Sequence, residues 1–521
     1  MRAVAHREEI SKIVELLHDA RKRRDGWPKS LREDEATRLA ALLRTVSVLE
    51  LSSIDWSFDS YSWSYARPQA DARRWLKLFE SHAATLGSWA WFAISTLDRS
   101  GFVREAAVGA LGREMPVDAI PFIVLRTTDW VSQVRDAAES VLRQALSAAA
   151  PAELLSSLEV ALHAEARVGA PRLAGSRAVL ERLRAAPDEV LVAGVGRGAI
   201  RSQRWCLREL LVRRSAVLTN ALRLALRSTS TALRFEAAAA LGEVPAGARY
   251  ELFDVALADR VGFVRRAAAE AVPEGDLREP DLERLLLDFN RAARAVAQRE
   301  CARRRGTSAA GFYRDHLGAR RAAARAAALL GLAEVGEEDD AVEAVVRLED
   351  PSWRVRLMAL RCMSKLAPTE ASAAALGALG DSSHKVVEAA ASIALRHPSP
   401  DMQAEAEKLI LSRQVSRRKT GLRLLQAGDL VWQAEMIERL LRSSPAAQAE
   451  ALPILEKLVT RRLLGRRLPH DLRDRLVAAV SASELPSQVD ERGPHDQWSR
   501  RRRAEKLRDR LLFGLRSAPT T

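Results

Sequence analysis

The feature that most constrains this chain is a short segment that recurs about every 31 residues. Residues 97–112 read LDRSGFVREAAVGALG, residues 258–272 read ADRVGFVRRAAAEAV, and residues 349–363 read EDPSWRVRLMALRCM. Each copy has an aspartate and, six residues later, the arginine of a Val-Arg pair. A fixed period of this length is typical of stacked repeat units, in contrast to separate globular domains.

The arginine of this segment gives a reference position on which eleven units can be aligned. In chain order the units place at that position Arg104, Arg135, Arg172, Arg204, Arg234, Arg265, Arg294, Arg321, Arg356, Val387 and Arg418. Six residues upstream, seven units have an aspartate, namely Asp98, Asp129, Asp259, Asp288, Asp315, Asp350 and Asp381. Aspartate is a minor component of the chain, so this recurrence indicates a true period.

Each unit has the pattern of a helix pair. A short apolar stretch, such as residues 88–97 or 340–348, precedes the aspartate, and a longer amphipathic stretch follows it. Aspartate is favoured just before a helix, where its carboxylate accepts hydrogen bonds from free backbone N–H groups. Apolar and small residues of the second stretch recur at helical spacing and form one buried face. Because one pair cannot bury this face alone, we predict an all-α fold, an α-solenoid of about eleven helix pairs with capping helices at both ends.

The pattern Asp-x5-Arg-x-Ala-Ala, with Leu-Gly closing the second helix, resembles the HEAT repeat. The period is similar to that of the short HEAT-like variety named after phycobiliprotein lyases. The resemblance covers residues 88–466 and implies a ladder of buried bonds between aspartates and arginines. It assigns a structural role to Asp98, Arg104, Asp129, Arg135, Asp259, Arg265, Asp350, Arg356 and Asp381. The ladder is expected to lapse at Ala166, Gly198 and Val387.

The extent of the repeat predicts three regions. Residues 1–87 form an N-terminal helical cap with an aromatic loop, residues 88–466 the solenoid, and residues 467–521 C-terminal helices with a basic amphipathic tail. The aromatic loop, with Trp56 and Trp63, either shields the first repeat or binds a partner. The tail either docks as the C-terminal cap or contacts nucleic acid, an acidic surface or a membrane surface.

Composition narrows the function mainly by exclusion. The net charge of +14 and the pI of about 10.2 suit nucleic acid, although arginine bias in the coding sequence also explains part of this excess. The cysteines, Cys206, Cys301 and Cys362, are too few for a disulfide framework and lack metal-ligand spacing, and the first two fall at buried positions of the repeat. No apolar signal segment and no uncharged run of about 18 residues is present. We therefore predict a cytoplasmic, non-enzymatic protein without metal or cofactor.

Partner binding is expected on the face of the second helices that points away from the buried stripe. Side chains one, four and five positions after the reference arginine reach this face. The predicted partner-binding residues there are Arg177, Trp205, Arg208, Arg299, Arg325 and Arg361. Arginine and tryptophan are enriched at interface hot spots, so we predict a scaffold that binds an acidic or phosphorylated protein along its concave face. Nucleic acid is the alternative partner, a lyase-type enzyme subunit is a third interpretation, and the oligomeric state stays open.

Overall fold

The computed structural model describes residues 33–52, 89–98, 100–167, 173–273, 275–396, 400–412, 414–443, 445–461, 468–483 and 494–516. Within these ranges the chain forms α-helices, short 3-10 turns and loops, and no β-strand. The prediction of an all-α solenoid is confirmed. The chain divides into two compact units, Met1–Leu277 and Arg278–Thr521.

Fourteen described helices belong to each unit. Those of the first unit are α1 Glu33–Leu43, α2 Val48–Ser52, α3 Trp89–Ser95, α4 Gly101–Glu114, α5 Ile120–Arg126, α6 Ser132–Ala148, α7 Leu158–Arg167, α8 Ala174–Arg184, α9 Asp188–Gly196, α10 Ile200–Val212, α11 Leu218–Leu226, α12 Thr231–Ala239, α13 Ala246–Leu257 and α14 Gly262–Ala271. Those of the second unit are α15 Glu279–Leu286, α16 Arg291–Arg305, α17 Ala310–His316, α18 Ala322–Val335, α19 Ala341–Val346, α20 Trp353–Leu366, α21 Pro368–Ala378, α22 His384–Ala394, α23 Pro400–Ile410, α24 Val415–Leu425, α25 Leu430–Leu441, α26 Pro445–Arg461, α27 His470–Ala482 and α28 Pro494–Arg516.

From α3 to α24 the described helices form eleven pairs, each with a first helix, a turn and a second helix. The reference arginine is the fourth residue of most second helices, as Arg104 is in α4 and Arg356 is in α20. In α18 this position belongs to Arg325, whereas Arg321 precedes the helix. The expected reference position Arg321 is therefore wrong by one helical turn, and Asp315, six residues before Arg321, lies inside α17 and is not a turn aspartate. With Arg325 in its place, the step is 31 residues from Arg294 to Arg325 and again from Arg325 to Arg356.

The repeat aspartate lies in the turn between the two helices of a pair. Its carboxylate accepts a hydrogen bond from the backbone N–H two residues later, as Asp129 does from Val131 at 3.0 Å. Val131 is itself the N-cap residue of α6, so the aspartate closes a turn in front of the helix. The expected helix cap is wrong in this detail, because the aspartate precedes the N-cap residue and bonds the N–H of that residue. The same bond is made by Asp98, Asp259, Asp350 and Asp381.

The side chain of the reference arginine joins two successive pairs. Arg104 donates from Nη1 to the backbone carbonyl of Asp98 at 2.9 Å, and from Nε and Nη2 to the carboxylate of Asp129, both at 2.8 Å. Asp98 lies six residues before the arginine, and Asp129 lies 25 residues after it in the next pair. The same two bonds recur in the ladder pairs Arg234–Asp259, Arg325–Asp350 and Arg356–Asp381. The bond to the turn carbonyl is also made by Arg135 and Arg265.

Burial makes the ladder important for stability. The side chains of Arg104 and Asp129 are only 3% and 1% exposed. Burial alone would raise the pKa of Asp129, but hydrogen bonds from Arg104 and Val131, together with the charges of Arg126 and Arg104, lower it below its ordinary value. The ladder therefore stabilises the fold above the ordinary aspartate pKa of about 3.9, and this contribution is lost as the pH falls through the lowered folded pKa.

Three reference arginines face a unit that lacks the aspartate, and a glutamate takes its place. In each case the glutamate belongs to the second helix of the next pair. The Nε–Oε distances are 2.9, 3.0 and 3.2 Å in the pairs Arg204–Glu236, Arg294–Glu334 and Arg418–Glu450. These glutamates lie 32 or 40 residues after their arginines, so the period of the aspartates does not reveal them.

Two of the predicted lapses have structural explanations. Val387 stands at the reference position of α22 and cannot bond the carbonyl of Asp381, which instead accepts a hydrogen bond from Arg417 of α24. Ala166 lies inside α7, so it is not a turn position. The ladder therefore continues past a missing arginine because a side chain from the next pair reaches the same carbonyl.

Small residues allow neighbouring helices to approach closely. Ala107, Ala138 and Ala268, three positions after their reference arginines, are fully buried. Gly331 in α18 has a stricter role, because an added Cβ would lie 2.1 Å from the ring of Tyr313. Tyr313 is itself fully buried on α17, so any side chain at position 331 would displace it.

The basic tail docks at the C-terminal end of the second unit. Leu511 and Leu515 of α28 are buried in a core cluster with residues of α26 and α27. Arg510 also bonds Glu456 of α26 at 2.5 Å. This packing agrees with the interpretation of the tail as a cap.

We expect Asp129→Ala to destabilise the first unit by about 3 kcal/mol or more, because it leaves the buried guanidinium of Arg104 without its carboxylate partner. The midpoint of urea unfolding, followed by circular dichroism, measures this change. The matched control is Glu270→Ala, which breaks an exposed pair with Arg266 and should change stability by less than about 0.5 kcal/mol. Equal shifts in the two variants would contradict a stabilising ladder.

We expect Glu334→Ala to lower the urea midpoint nearly as much as loss of a repeat aspartate, because it leaves buried Arg294 unpaired. Glu283→Ala, which removes an exposed carboxylate from α15, is the control. If both variants unfold at the wild-type midpoint, Glu334 does not replace the missing aspartate.

Candidate partner-binding surface

Three second helices of the first unit, α10, α12 and α14, present aromatic side chains at their surface. Trp205 is half-buried on α10, and Phe235 on α12 and Phe263 on α14 are 40% and 46% exposed. The rings of Phe235 and Phe263 meet edge to face, with their centroids 5.8 Å apart. Clustered exposed rings of this kind are typical of an interaction surface.

Arginines flank these rings. Arg201 and Arg208 are exposed on the same face of α10 as Trp205, because they lie four residues before it and three residues after it. Arg266 is exposed three residues after Phe263 on α14. We define the aromatic–arginine surface as Arg201, Trp205, Arg208, Phe235, Phe263 and Arg266.

Glu236 on α12 ties the surface to the ladder. Its Oε1 accepts hydrogen bonds from Arg204 Nε at 2.9 Å and from Arg208 Nη2 at 2.5 Å. Burial alone would raise the pKa of Glu236, but the hydrogen bonds and charges of the two arginines lower it. Glu236 is therefore ionised at neutral pH. Since one carboxylate serves two guanidinium groups, a positive charge remains.

The other predicted binding residues are spread over the chain. Arg177 is exposed on α8 in the first unit, and Arg299 on α16 and Arg361 on α20 are exposed in the second unit. Trp56 and Trp63 lie outside the described residues. The structure therefore brings together Trp205 and Arg208 on one helix and leaves Arg177 on a separate one.

Arg325 does not belong to the exposed face. Its guanidinium donates from Nε and Nη2 to the carboxylate of Asp350, at 2.8 and 2.9 Å, as a ladder arginine. The prediction that Arg325 lines the partner-binding face is wrong, because it rests on Arg321 as the reference position. A shift of four residues is one helical turn and preserves the apolar pattern of the helix.

Phe235, Phe263 and Glu236 are functional candidates that sequence reasoning missed. Phe235 stands one position after its reference arginine, as Trp205 does, and this shared position was the available signal. Phe263 stands two positions before its arginine, and only the packing of α12 against α14 brings it beside Phe235.

Acidic side chains neutralise much of the arginine excess in the first unit. Residues 197–234 contain nine arginines and one glutamate. In the fold, several arginines of this unit contact carboxylates, in the pairs Arg177–Glu165, Arg184–Glu209, Arg213–Asp188 and Arg223–Glu251. Phosphate binding relies on arginines that are free to replace counterions.

The cysteines have the properties of core residues. Cys206, Cys301 and Cys362 are all buried, as predicted for the first two. Burial raises the pKa of Cys206 and that of Cys362 to about 12, and it also raises the pKa of Cys301. Within the described part of the chain, no group of three His, Cys, Asp or Glu side chains could hold a metal ion. In that same part, every helix is too short or too polar to cross a membrane.

Comparison with known proteins identifies the repeat. Residues 314–396, from the end of α17 through α22, match the family of HEAT repeats. This segment contains the ladder arginines Arg325 and Arg356. The chain carries HEAT repeats. The phycobiliprotein-lyase variety of the HEAT repeat is not distinguished by this match and stays a prediction.

Two solved structures are similar in fold to this chain at low sequence identity. One is yeast importin-beta, Kap95p, at 12% identity, with 97% of this chain and 67% of that chain covered and a TM-score of 0.36. Another comes from work in which Kap95p binding induces the switch loops of RanGDP to adopt the GTP-bound conformation, at 11% identity, 97% and 72% coverage and a TM-score of 0.45. These scores carry no argument about function. No curated protein matches the sequence significantly.

We expect the folded protein to show no fast thiol reaction with Ellman's reagent near neutral pH, because the thiolate is the reactive form and burial keeps the three thiols protonated. In concentrated guanidinium chloride all three thiols should react, since unfolding returns each pKa to about 8.5. A thiol that reacts rapidly in the folded protein would contradict this expectation and would support a nucleophilic cysteine.

Proposed function

We propose that this HEAT-repeat chain is a non-enzymatic cytoplasmic scaffold that binds a protein partner on the aromatic–arginine surface. Trp205 and Arg208 are the central binding residues, and Phe235 and Phe263 extend the site across α12 and α14. Arg177, Arg299 and Arg361 stay as predicted contributors at other positions of the concave face. The observation that carries the proposal is that the half-buried ring of Trp205 and the exposed rings of Phe235 and Phe263 lie on three neighbouring helices.

The geometry suits an extended segment of the partner. Packed helices lie about 8–10 Å apart, so three neighbouring second helices span about 20 Å. An extended chain covers this distance with about six residues, at about 3.3 Å per residue. Arginine beside aromatic rings favours a segment that alternates acidic or phosphorylated residues with apolar ones. Three buried free thiols also suit a reducing compartment such as the cytoplasm.

The test begins with a phage-displayed library of random short peptides, selected on the purified protein. We expect acidic peptides with apolar side chains to be enriched. In fluorescence anisotropy, Trp205→Ala combined with Arg208→Glu should weaken binding of a selected peptide at least about tenfold, or about 1.4 kcal/mol. Melting temperature should fall only slightly, because neither side chain is part of the buried stripe and Glu236 keeps its hydrogen bonds from Arg204.

The matched control is Phe102→Ala combined with Arg113→Glu, which makes the same kind of change at exposed positions of α4. Its peptide affinity should equal that of the wild type. Unchanged affinity in the Trp205 and Arg208 variant would exclude the aromatic–arginine surface. Loss confined to Trp63→Ala would move the site to the N-terminal aromatic loop. Tight, strongly salt-dependent binding of a labelled DNA or RNA duplex would instead support the nucleic-acid alternative.

A further inference from the structure

Helix α19 of the second unit has an apolar stripe that faces solvent. Ala341 and Ala344 are buried against the fold. Val342, Val345 and Val346 are 68%, 46% and 58% exposed. These valines lie at i, i+3 and i+4, so they form one continuous face opposite the buried alanines. Single exposed apolar residues are common, but three on one short helix indicate an interaction site.

Acidic side chains surround the valines. Residues 330–350 contain eight acidic residues and one arginine, for a net charge of −7. Part of this charge is structural, because Asp340 bonds Arg314 and Asp350 bonds Arg325. Glu338, Asp339 and Glu343 are exposed in or just before α19. We define the valine–acid patch as Val342, Val345 and Val346 with Glu338, Asp339 and Glu343.

The complementary surface is present on the same chain. Residues 197–234 have a net charge of +8 and contribute Arg201, Trp205 and Arg208 to the aromatic–arginine surface. That surface offers exposed rings for the valines and guanidinium groups for the carboxylates. The valine–acid patch has the alternation of acidic and apolar side chains that the proposed partner segment requires.

We propose that the valine–acid patch of one molecule binds the aromatic–arginine surface of a second copy of this chain. This inference rests on the proposed function, because it assigns a second occupant to the same surface. Self-association and partner binding then exclude each other, and the acidic patch acts as a built-in competitor. The contact joins two different surfaces, so it is head-to-tail, and one molecule can contact one neighbour through its patch and another through its aromatic–arginine surface.

The contact should be weak and sensitive to salt. Six side chains on each face bury far less than the roughly 1,200 Å² of a stable interface, which places the dissociation constant in the micromolar range or above. Exposed charges are screened at high ionic strength. We therefore expect the sedimentation coefficient of the wild type to rise with protein concentration at low salt and to stay constant at high salt.

Two charge-reversed variants of the full chain test the pairing. The patch variant carries Glu338→Lys, Asp339→Lys and Glu343→Lys, and the surface variant carries Arg201→Glu, Arg208→Glu and Arg266→Glu. Each variant keeps one intact face, so each alone should stay monomeric. An equimolar mixture should associate again, because the intact patch of the surface variant meets the intact surface of the patch variant, and the two reversed faces also carry opposite charges.

The control variant carries Glu283→Lys, Asp315→Lys and Glu370→Lys, which change the net charge as much as the patch variant does but at other exposed positions of the second unit. It should self-associate like the wild type.

A wild type that is monomeric at all concentrations overturns the proposal, as does self-association of either reversed variant or a mixture that does not associate. The patch variant should bind the selected peptide at least as tightly as the wild type. If the patch variant self-associates normally but no longer binds the peptide, the proposed self-contact is wrong. If the wild type never binds the peptide, the proposed function is wrong.

Discussion

A buried guanidinium carries five N–H donors in one plane, and each donor without an acceptor raises the free energy of the folded state. The repeat satisfies Arg104 with a carbonyl from its own turn and a carboxylate from the next pair. Because these acceptors belong to two successive pairs, the arginine is satisfied only when the pairs are stacked in register. This polar contact therefore fixes the spacing between successive helix pairs, which burial of apolar side chains alone would leave variable.

Each buried reference arginine needs a carboxylate beside its guanidinium. Residues at different positions of the sequence supply that carboxylate. Asp129 comes from the turn of the next pair, whereas Glu236 and Glu334 come from its second helix. The longer glutamate side chain covers the extra distance. Where the arginine itself is missing, at Val387, Arg417 of the following pair reaches the open carbonyl. The fold therefore tolerates a degenerate repeat, because the guanidinium groups of Arg204 and Arg294 still meet a carboxylate.

Stacking in register also creates the surfaces. Residues at equivalent positions of neighbouring second helices come to lie side by side, as the contact between Phe235 and Phe263 shows. The net charge of +14 does not show this organisation. The first unit contains the aromatic–arginine surface, and the second unit contains the acidic side chains and exposed valines of the valine–acid patch. Net charge describes solubility and long-range attraction, whereas local patches decide which partners fit.

The sequence by itself determined the helix-pair architecture, because the aspartate period and the apolar stripe are local signals that each unit repeats. Burial of Cys206 and Cys301 and exposure of Arg208 followed from the same register. Only the tertiary structure decided whether Arg321 or Arg325 enters the ladder, because residues one turn apart share a helix face and only packing selects the buried one. It alone also decided which carboxylate meets each guanidinium where the aspartate is absent, because that depends on the distance between helices and on side-chain reach, which no spacing along the chain records.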